Sequence, residues 1–249
     1  MKILANVLIF LIYLTWTLLV FPLALTCLLG LSQKPALQSF SRRVSWFYGR
    51  YLVYLLSPLL PCEFKNKDYA RKVAPCIIVA NHQSFLDLFL MGLQNESNLC
   101  MVSRSWPYSK LFFYAPLMWS GGYIDAEKLP FERVLQLFEQ RLKEGASLVI
   151  YPEGHRSKDG KLQKFHGGAF YLACKTKRPI VPLVIHDSYK ILGPGTKLLS
   201  PKTIHLEMLK PIYPEAFLSE TKTLPHRAMT RKVHALMQKA LCQTSEIAS

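Results

Sequence analysis

Two short polar segments carry residues able to move a proton and hold an anion. They are Asn81-His82-Gln83-Ser84-Phe85-Leu86-Asp87 and Tyr151-Pro152-Glu153-Gly154-His155-Arg156-Ser157. Residues five apart do not share a helix face, whereas those three or four apart do. His82 and Asp87 can therefore meet only if His82 sits in a turn and Asp87 in the helix that follows. In that geometry the carboxylate orients the imidazole, fixes its tautomer and raises the basicity of the far nitrogen. Such a base can take a proton from a substrate hydroxyl, so no enzyme serine or cysteine nucleophile is required. The plainer account is a capping box, with Ser84 at the N-cap and Asp87 at N3, where the helix dipole also favours a carboxylate. The two accounts are compatible. In the second segment Glu153 is suited to accept bonds from a substrate hydroxyl or to orient the loop. Arg156 offers a bidentate fork for phosphate, and Gly154 permits close backbone approach. Taken alone, that segment reads as a solvated turn.

Each segment follows an apolar run. PCIIVA precedes the first and ASLVIY the second, and runs of this kind suit strands covered on both faces. Ligands bind beyond the carboxyl ends of strands in open α/β sheets, so the two loops are expected to line one pocket. Strands are also predicted in NLCMVSR, GGYID, PIVPLVIH and KTIHLEML. Helices are predicted in SFLDLFLMGLQ, LPFERVLQLFEQRLKEG, GGAFYLACKTK and RAMTRKVHALMQKAL. Pro130 suits a first helical turn and Gly145 a C-terminal cap. The alternation predicts an α/β fold with a mixed, largely parallel sheet flanked by helices.

The chain of 249 residues is half hydrophobic, enough for a sizeable core. Its net charge of +15 and pI near 9.6 point to an anionic partner, either a membrane surface, nucleic acid or a phosphorylated substrate. Six cysteines form no C-x-x-C and no close pairs, which reads as reduced thiols in a cytosolic compartment. No histidine pattern of H-x3-H or H-E-x-x-H argues for zinc, and apart from His82 the histidines read as surface or core residues. The basic residues are dispersed without a nucleic-acid motif, so that partner is not expected.

From Ile3 to Leu31 no residue is charged. As a helix this stretch would be roughly 43 Å long, longer than a bilayer core of about 30 Å. Pro22 is placed to kink or tilt it. The run is too long for a signal peptide and lacks a cleavage site. Lys34, Arg42, Arg43 and Arg50 follow it, with no acid until Glu63. The positive-inside rule then puts the remaining chain in the cytoplasm. Residues 44–60, aromatic-rich beside arginines, are expected to lie at or dip into the membrane surface rather than to span it. The expected organisation is an N-terminal membrane segment over 1–60, single-pass or hairpin-anchored, followed by one domain over 61–249.

These blocks resemble the glycerolipid acyltransferases of the lysophosphatidate acyltransferase type. Asn81 to Asp87 match N-H-x-S-x-x-D, Tyr151 to Ser157 match F-P-E-G-x-R-S, and Val181 to Ile185 match V-P-V-x-I. The second block departs, because Gly122-Tyr123-Ile124-Asp125-Ala126 has alanine where the family has arginine. Lys128 and Arg104 are the candidates to replace it. Arg104 falls where the family commonly has a lysine near the reacting carbonyl, so its expected role is at the oxyanion or the phosphate. The resemblance implies catalysis by His82 and Asp87. It implies substrate binding by Asn81, Ser84, Arg104, Glu153, Gly154, Arg156 and Ser157. It further implies acyl transfer from acyl-CoA or acyl-carrier protein to a lysophospholipid hydroxyl, with 1-acylglycerol 3-phosphate as the default acceptor. No metal and no cofactor beyond the thioester co-substrate is expected. The competing class is a membrane-anchored adaptor that binds anionic lipid without catalysis, and another lyso-acceptor is the alternative within the enzyme class.

Overall fold

The computed structural model describes residues 2–29, 34–110, 114–220 and 224–245. Helix α1 (Lys2–Leu29) runs unbroken through Pro22. Its residues Ile3, Leu4, Phe10 and Leu19 are exposed, so the helix presents large apolar side chains outward. Among the described residues one helix is long and apolar enough to cross a membrane, over Lys2–Leu25 with mean hydropathy 2.4. Helix α2 (Pro35–Leu56) packs along it. Trp16 Nε1 donates to the Tyr48 carbonyl at 3.0 Å, and the Thr17 hydroxyl lies 2.7 Å from the Tyr48 hydroxyl.

Most of the segment 44–60 falls within α2. Phe47, Tyr51 and Tyr54 are exposed on one side, while Val44, Tyr48, Leu52 and Leu56 are buried on the other. Arg42, counted among the membrane-flanking charges, is fully buried instead. Its guanidinium donates to Asn98 Oδ1 at 2.7 Å and to the Gly121 carbonyl at 2.8 Å, tying α2 to the α/β unit.

That unit begins with β1 (Cys62–Lys65), α3 (Tyr69–Lys72) and β2 (Ile77–Ala80). Next come α4 (Asp87–Leu90) with a 3-10 turn over Met91–Leu93, β3 (Leu99–Ser103), α5 (Trp106–Lys110) and α6 (Ala115–Ser120). β4 (Ile124–Asp125), α7 (Phe131–Lys143), β5 (Ser147–Ile150) and α8 (Gly168–Thr176) follow. The described chain ends with β6 (Ile180–His186), α9 (Ser188–Leu192), β7 (Ile204–Met208), α10 (Glu215–Glu220) and α11 (Pro225–Ser245). The strands form one sheet in the order β1-β7-β6-β2-β5-β3-β4, parallel except for the β6–β7 pair.

The strand β2 (Ile-Ile-Val-Ala) lies at the centre and is buried along its whole length. Successive side chains point to opposite faces. Ile78 and Ala80 accordingly join the core beneath α1, α2 and α4, whereas Ile77 and Val79 join the core beneath α7, α8 and α11. Burying Ile77, Ile78 and Val79 contributes about 1.5–3 kcal/mol each. Helix α7 ends in a Schellman motif: the Ala146 amide donates to the Arg141 carbonyl and the Gly145 amide to Leu142. Gly145 takes φ +80 there, a conformation that favours glycine. Pro130 occupies the N-cap position rather than the first turn. β1 is a strand with no counterpart in the sequence reading, and it completes the edge by pairing with β7.

Candidate active site

Strands β2 and β5 are parallel neighbours, so their following loops emerge side by side. Two bonds join the loops to each other and a third closes the second loop on itself. The His82 amide donates to Glu153 Oε1 at 2.7 Å, the Ser157 amide to the His82 carbonyl at 2.7 Å, and the Gln163 amide to Glu153 Oε2 at 2.8 Å. Glu153 is 1% exposed and both its oxygens are engaged by backbone. Burial pushes its carboxyl up to about 7, against the pull of those two amides.

His82 Nδ1 lies 2.8 Å from Asp87 Oδ2, across the turn that the spacing required. The same oxygen accepts the amides of Gln83 at 2.7 Å and Ser84 at 2.8 Å, and Asp87 is wholly buried. An oxygen already serving as an acceptor makes Nδ1 the donor, which leaves the Nε2 lone pair free. The imidazole stacks on Tyr151, with centroids 4.2 Å apart and planes inclined by 23°. The Tyr151 hydroxyl donates to the Asp87 carbonyl at 3.1 Å. Both flanks of the dyad are thereby fixed.

The capping box is present in modified form. The helix begins at Asp87, not after Ser84, and continues as a 3-10 turn, so SFLDLFLMGLQ yields a short helix. Asp87 still reaches back to the Ser84 amide, but the Ser84 hydroxyl accepts from Leu86 at 3.1 Å and donates to the Leu192 carbonyl at 2.8 Å.

His82, Arg104, Gly154 and Arg156 line one cleft of about 590 Å³, as the two-loop expectation requires. Its inner wall is apolar, with Met101, Val134, Phe138 and Ile150. The other four expected substrate-binding residues stand behind the cleft rather than in it, as does Asp87. Asn81 bonds both backbone groups of Ile185, at 2.8 Å each, and Ser84 and Glu153 are committed as described. The Ser157 hydroxyl donates to Asp159 Oδ1 at 2.9 Å. Asn81, Ser84, Glu153 and Ser157 are thus buried and held in positioning bonds, while Arg104, Gly154 and Arg156 face the cleft.

Ala126 lines the cleft, and Lys128 does not. Arg104 is paired with Glu127, Nε to Oε1 at 3.2 Å, and this pairing with the Ser105 amide holds the Glu127 carboxyl down to about 2. Asp125 Oδ1 accepts the amides of Glu127 and Lys128 and fixes that turn. His155 and His166 also line the cleft, His155 from within the second loop's motif. His166 gives no local signal of its own; its amide bond to the Pro152 carbonyl brings it there. Tyr151 was legible only as an aromatic ending a strand. A smaller apolar cavity of about 230 Å³, walled by Tyr13, Thr17, Val20 and Ala24 of α1, shares Phe85 and Leu88 with the cleft.

An imidazole–carboxylate dyad with its carboxylate buried stands at the carboxyl end of a central parallel strand and opens on an apolar-walled cleft, within an α/β fold. The acyltransferase family profile matches residues 61–186, a span that includes both loops. The chain belongs to that family. It is 30% identical over 181 residues to the human 1-acyl-sn-glycerol-3-phosphate acyltransferase beta, covering 70% of this chain and 60% of that one. It is 32% identical over 148 residues to the chloroplastic 1-acyl-sn-glycerol-3-phosphate acyltransferase BAT2 of Brassica napus, covering 56% of this chain and 41% of that one. The chain thus spans 41% to 60% of the length of these two relatives. Its fold matches the crystal structure of the LPA acyltransferase PlsC from Thermotoga maritima, with TM-score 0.76, 19% identity and 98% of both chains covered.

Proposed function

We propose that the protein is a membrane-bound O-acyltransferase that moves a fatty acyl group from acyl-CoA or acyl-carrier protein to a lysophospholipid hydroxyl. The acceptor named by its relatives, 1-acylglycerol 3-phosphate giving phosphatidate, is the first to test. The observation that carries this reading is the His82–Asp87 bond at the cleft mouth, with Nε2 free.

His82 Nε2 takes the proton from the acceptor hydroxyl as its oxygen attacks the thioester carbonyl. The new C–O bond forms, the C–S bond breaks, and the imidazolium returns its proton to the departing thiolate. General-base assistance of this kind contributes about 10² to 10⁴-fold, and holding both substrates in line contributes at least comparably. Arg156 holds the phosphate, and Arg104 supplies a second cation on the cleft lining. The apolar cleft wall and the α1-lined cavity that meets it give room for acyl chains. Residues 1–60 anchor the domain formed by 61–249 to the cytoplasmic side of a membrane, where the lyso-acceptor resides.

The test is acyl transfer by detergent-purified protein offered both thioester classes and several lysophospholipids. Phosphatidate formed in step with thiol release supports the reading. No transfer to any acceptor, from either donor, overturns it.

A further inference from the structure

Besides Arg156, the segment from His155 to His166 carries three lysines that the chemistry above does not use. Lys158, Lys161 and Lys164 are exposed and Arg156 is half-buried. None of the four makes an ion pair among the described residues. The segment's one acid, Asp159, is spent on the loop itself. Its Oδ1 accepts from the Ser157 hydroxyl at 2.9 Å, the Lys161 amide at 3.0 Å and Gln163 Nε2 at 3.0 Å.

The loop is held from several sides. Gln83 Nε2 donates to the Gly160 carbonyl at 2.7 Å, the Tyr189 hydroxyl to the Lys158 carbonyl at 3.0 Å, and the His166 amide to the Pro152 carbonyl at 2.8 Å. Gly160, at φ +74, lets the chain pass against the Tyr189 ring, where a Cβ would lie 3.0 Å from it. A charged surface already in place incurs little ordering cost on binding.

Two observations select the partner. His155, Arg156, Lys158 and His166 line the cleft, but Lys161 and Lys164 lie outside it. A small thioester would need only the former; cations continuing beyond the cleft fit a larger anionic body that reaches in. A bilayer contact would pair basic with exposed aromatic or aliphatic side chains. No large apolar side chain between 155 and 166 is exposed, while α1 and α2 expose many.

We propose that residues 155–166 form the docking surface for an acidic acyl-carrier protein, whose phosphopantetheine arm delivers the acyl thioester to His82. The inference rests on the acyltransferase reading, and its test separates the two. Full-length protein and the variant Lys161→Glu/Lys164→Glu are compared for binding of hexadecanoyl-loaded acyl-carrier protein, and for kcat/KM with that donor, hexadecanoyl-CoA and hexadecanoyl-pantetheine. Steering by such charges changes association by about tenfold or more and fades with salt. The docking surface predicts at least about a tenfold loss of carrier-protein binding and kcat/KM. It also predicts turnover of the other two donors within about twofold, since neither meets these lysines. Unchanged carrier-protein binding overturns the proposal. So does an equal loss with hexadecanoyl-CoA, which would make the loop a site for the nucleotide's phosphates. Lost binding to vesicles of equal phosphatidylglycerol and phosphatidylcholine, with carrier-protein binding intact, would make it a bilayer contact and also overturn the proposal. Charge-sensitive carrier-protein binding without any acyl transfer would keep the docking surface and remove the reading of the site.

Discussion

Asp87→Asn isolates the charge of the dyad from its geometry. The oxygen that accepts from His82, Gln83 and Ser84 is Oδ2, whereas Oδ1 is buried with no partner among the described residues. An asparagine can therefore place its carbonyl oxygen at the Oδ2 position and keep all three bonds. It loses the negative charge 2.8 Å from the imidazole, where the imidazolium forms during the reaction. The bare attraction at that distance is about 6 kcal/mol at an effective dielectric of about 20. Net of the solvation each group gives up, a charge-assisted bond contributes about 1.5–3 kcal/mol. The net figure applies, since both groups are desolvated in either variant, and it predicts that kcat falls about 10 to 150-fold. The buried amide N–H left without a partner costs about 1–3 kcal/mol of stability. At about 2–4 °C per kcal/mol for a chain of this size, Tm drops by about 2–12 °C. The assay is initial-rate acyl transfer at saturating donor and acceptor, with near-UV dichroism as the check on folding. A folded Asp87→Asn protein with kcat within about threefold of wild type would refute the reasoning, because the charge would then contribute under about 1 kcal/mol.

Tyr151→Phe keeps the stack on His82 and removes one buried neutral hydrogen bond, so kcat should fall no more than about tenfold. Tyr151→Leu removes the stack as well and should fall further; equal rates for the two variants would discount the stacking. Glu153, raised to about 7 from 4.5, adds stability below about 4.5 that is lost as pH rises through about 7. The wild-type unfolding free energy should therefore lose about 3 kcal/mol relative to Glu153→Gln between pH 4.5 and 8, and a pH-independent difference between the two would contradict this. Gly122→Ala places a Cβ 2.6 Å from Arg141 Nη2 at φ +62. Urea unfolding should show it destabilised by about 1–3 kcal/mol or more, and an unchanged midpoint would contradict that backbone.

The sheet's centre was legible in the sequence because β2, β5 and β6 are unbroken apolar runs, which only a strand covered on both faces sustains. Helix α7 declared itself by its period and by Gly145. The edge strand β1 did not, since Cys-Glu-Phe-Lys is half polar and gains its order from β7. The His82–Asp87 pair was readable from spacing, as a turn-to-helix contact is local. What Asn81, Ser84, Glu153 and Ser157 do was not, because Asn81 bonds Ile185, Ser84 bonds Leu192, and Glu153 and Ser157 both bond His82, all in other elements or loops. The motif names these residues without saying which ones face the cleft. Arg42 misled for a similar reason: a charge after an apolar helix reads as membrane-flanking until Asn98 and Gly121 are seen to enclose it.

The central claim is that His82 acts as the base for acyl transfer, and the most direct test is single-turnover transfer by wild type and His82→Ala in the same detergent. The account predicts that the variant remains folded and membrane-attached while the transfer rate falls by at least about 10²-fold. Transfer by folded His82→Ala at near the wild-type rate would contradict it, and would leave the bond to Asp87 as a device for holding a turn.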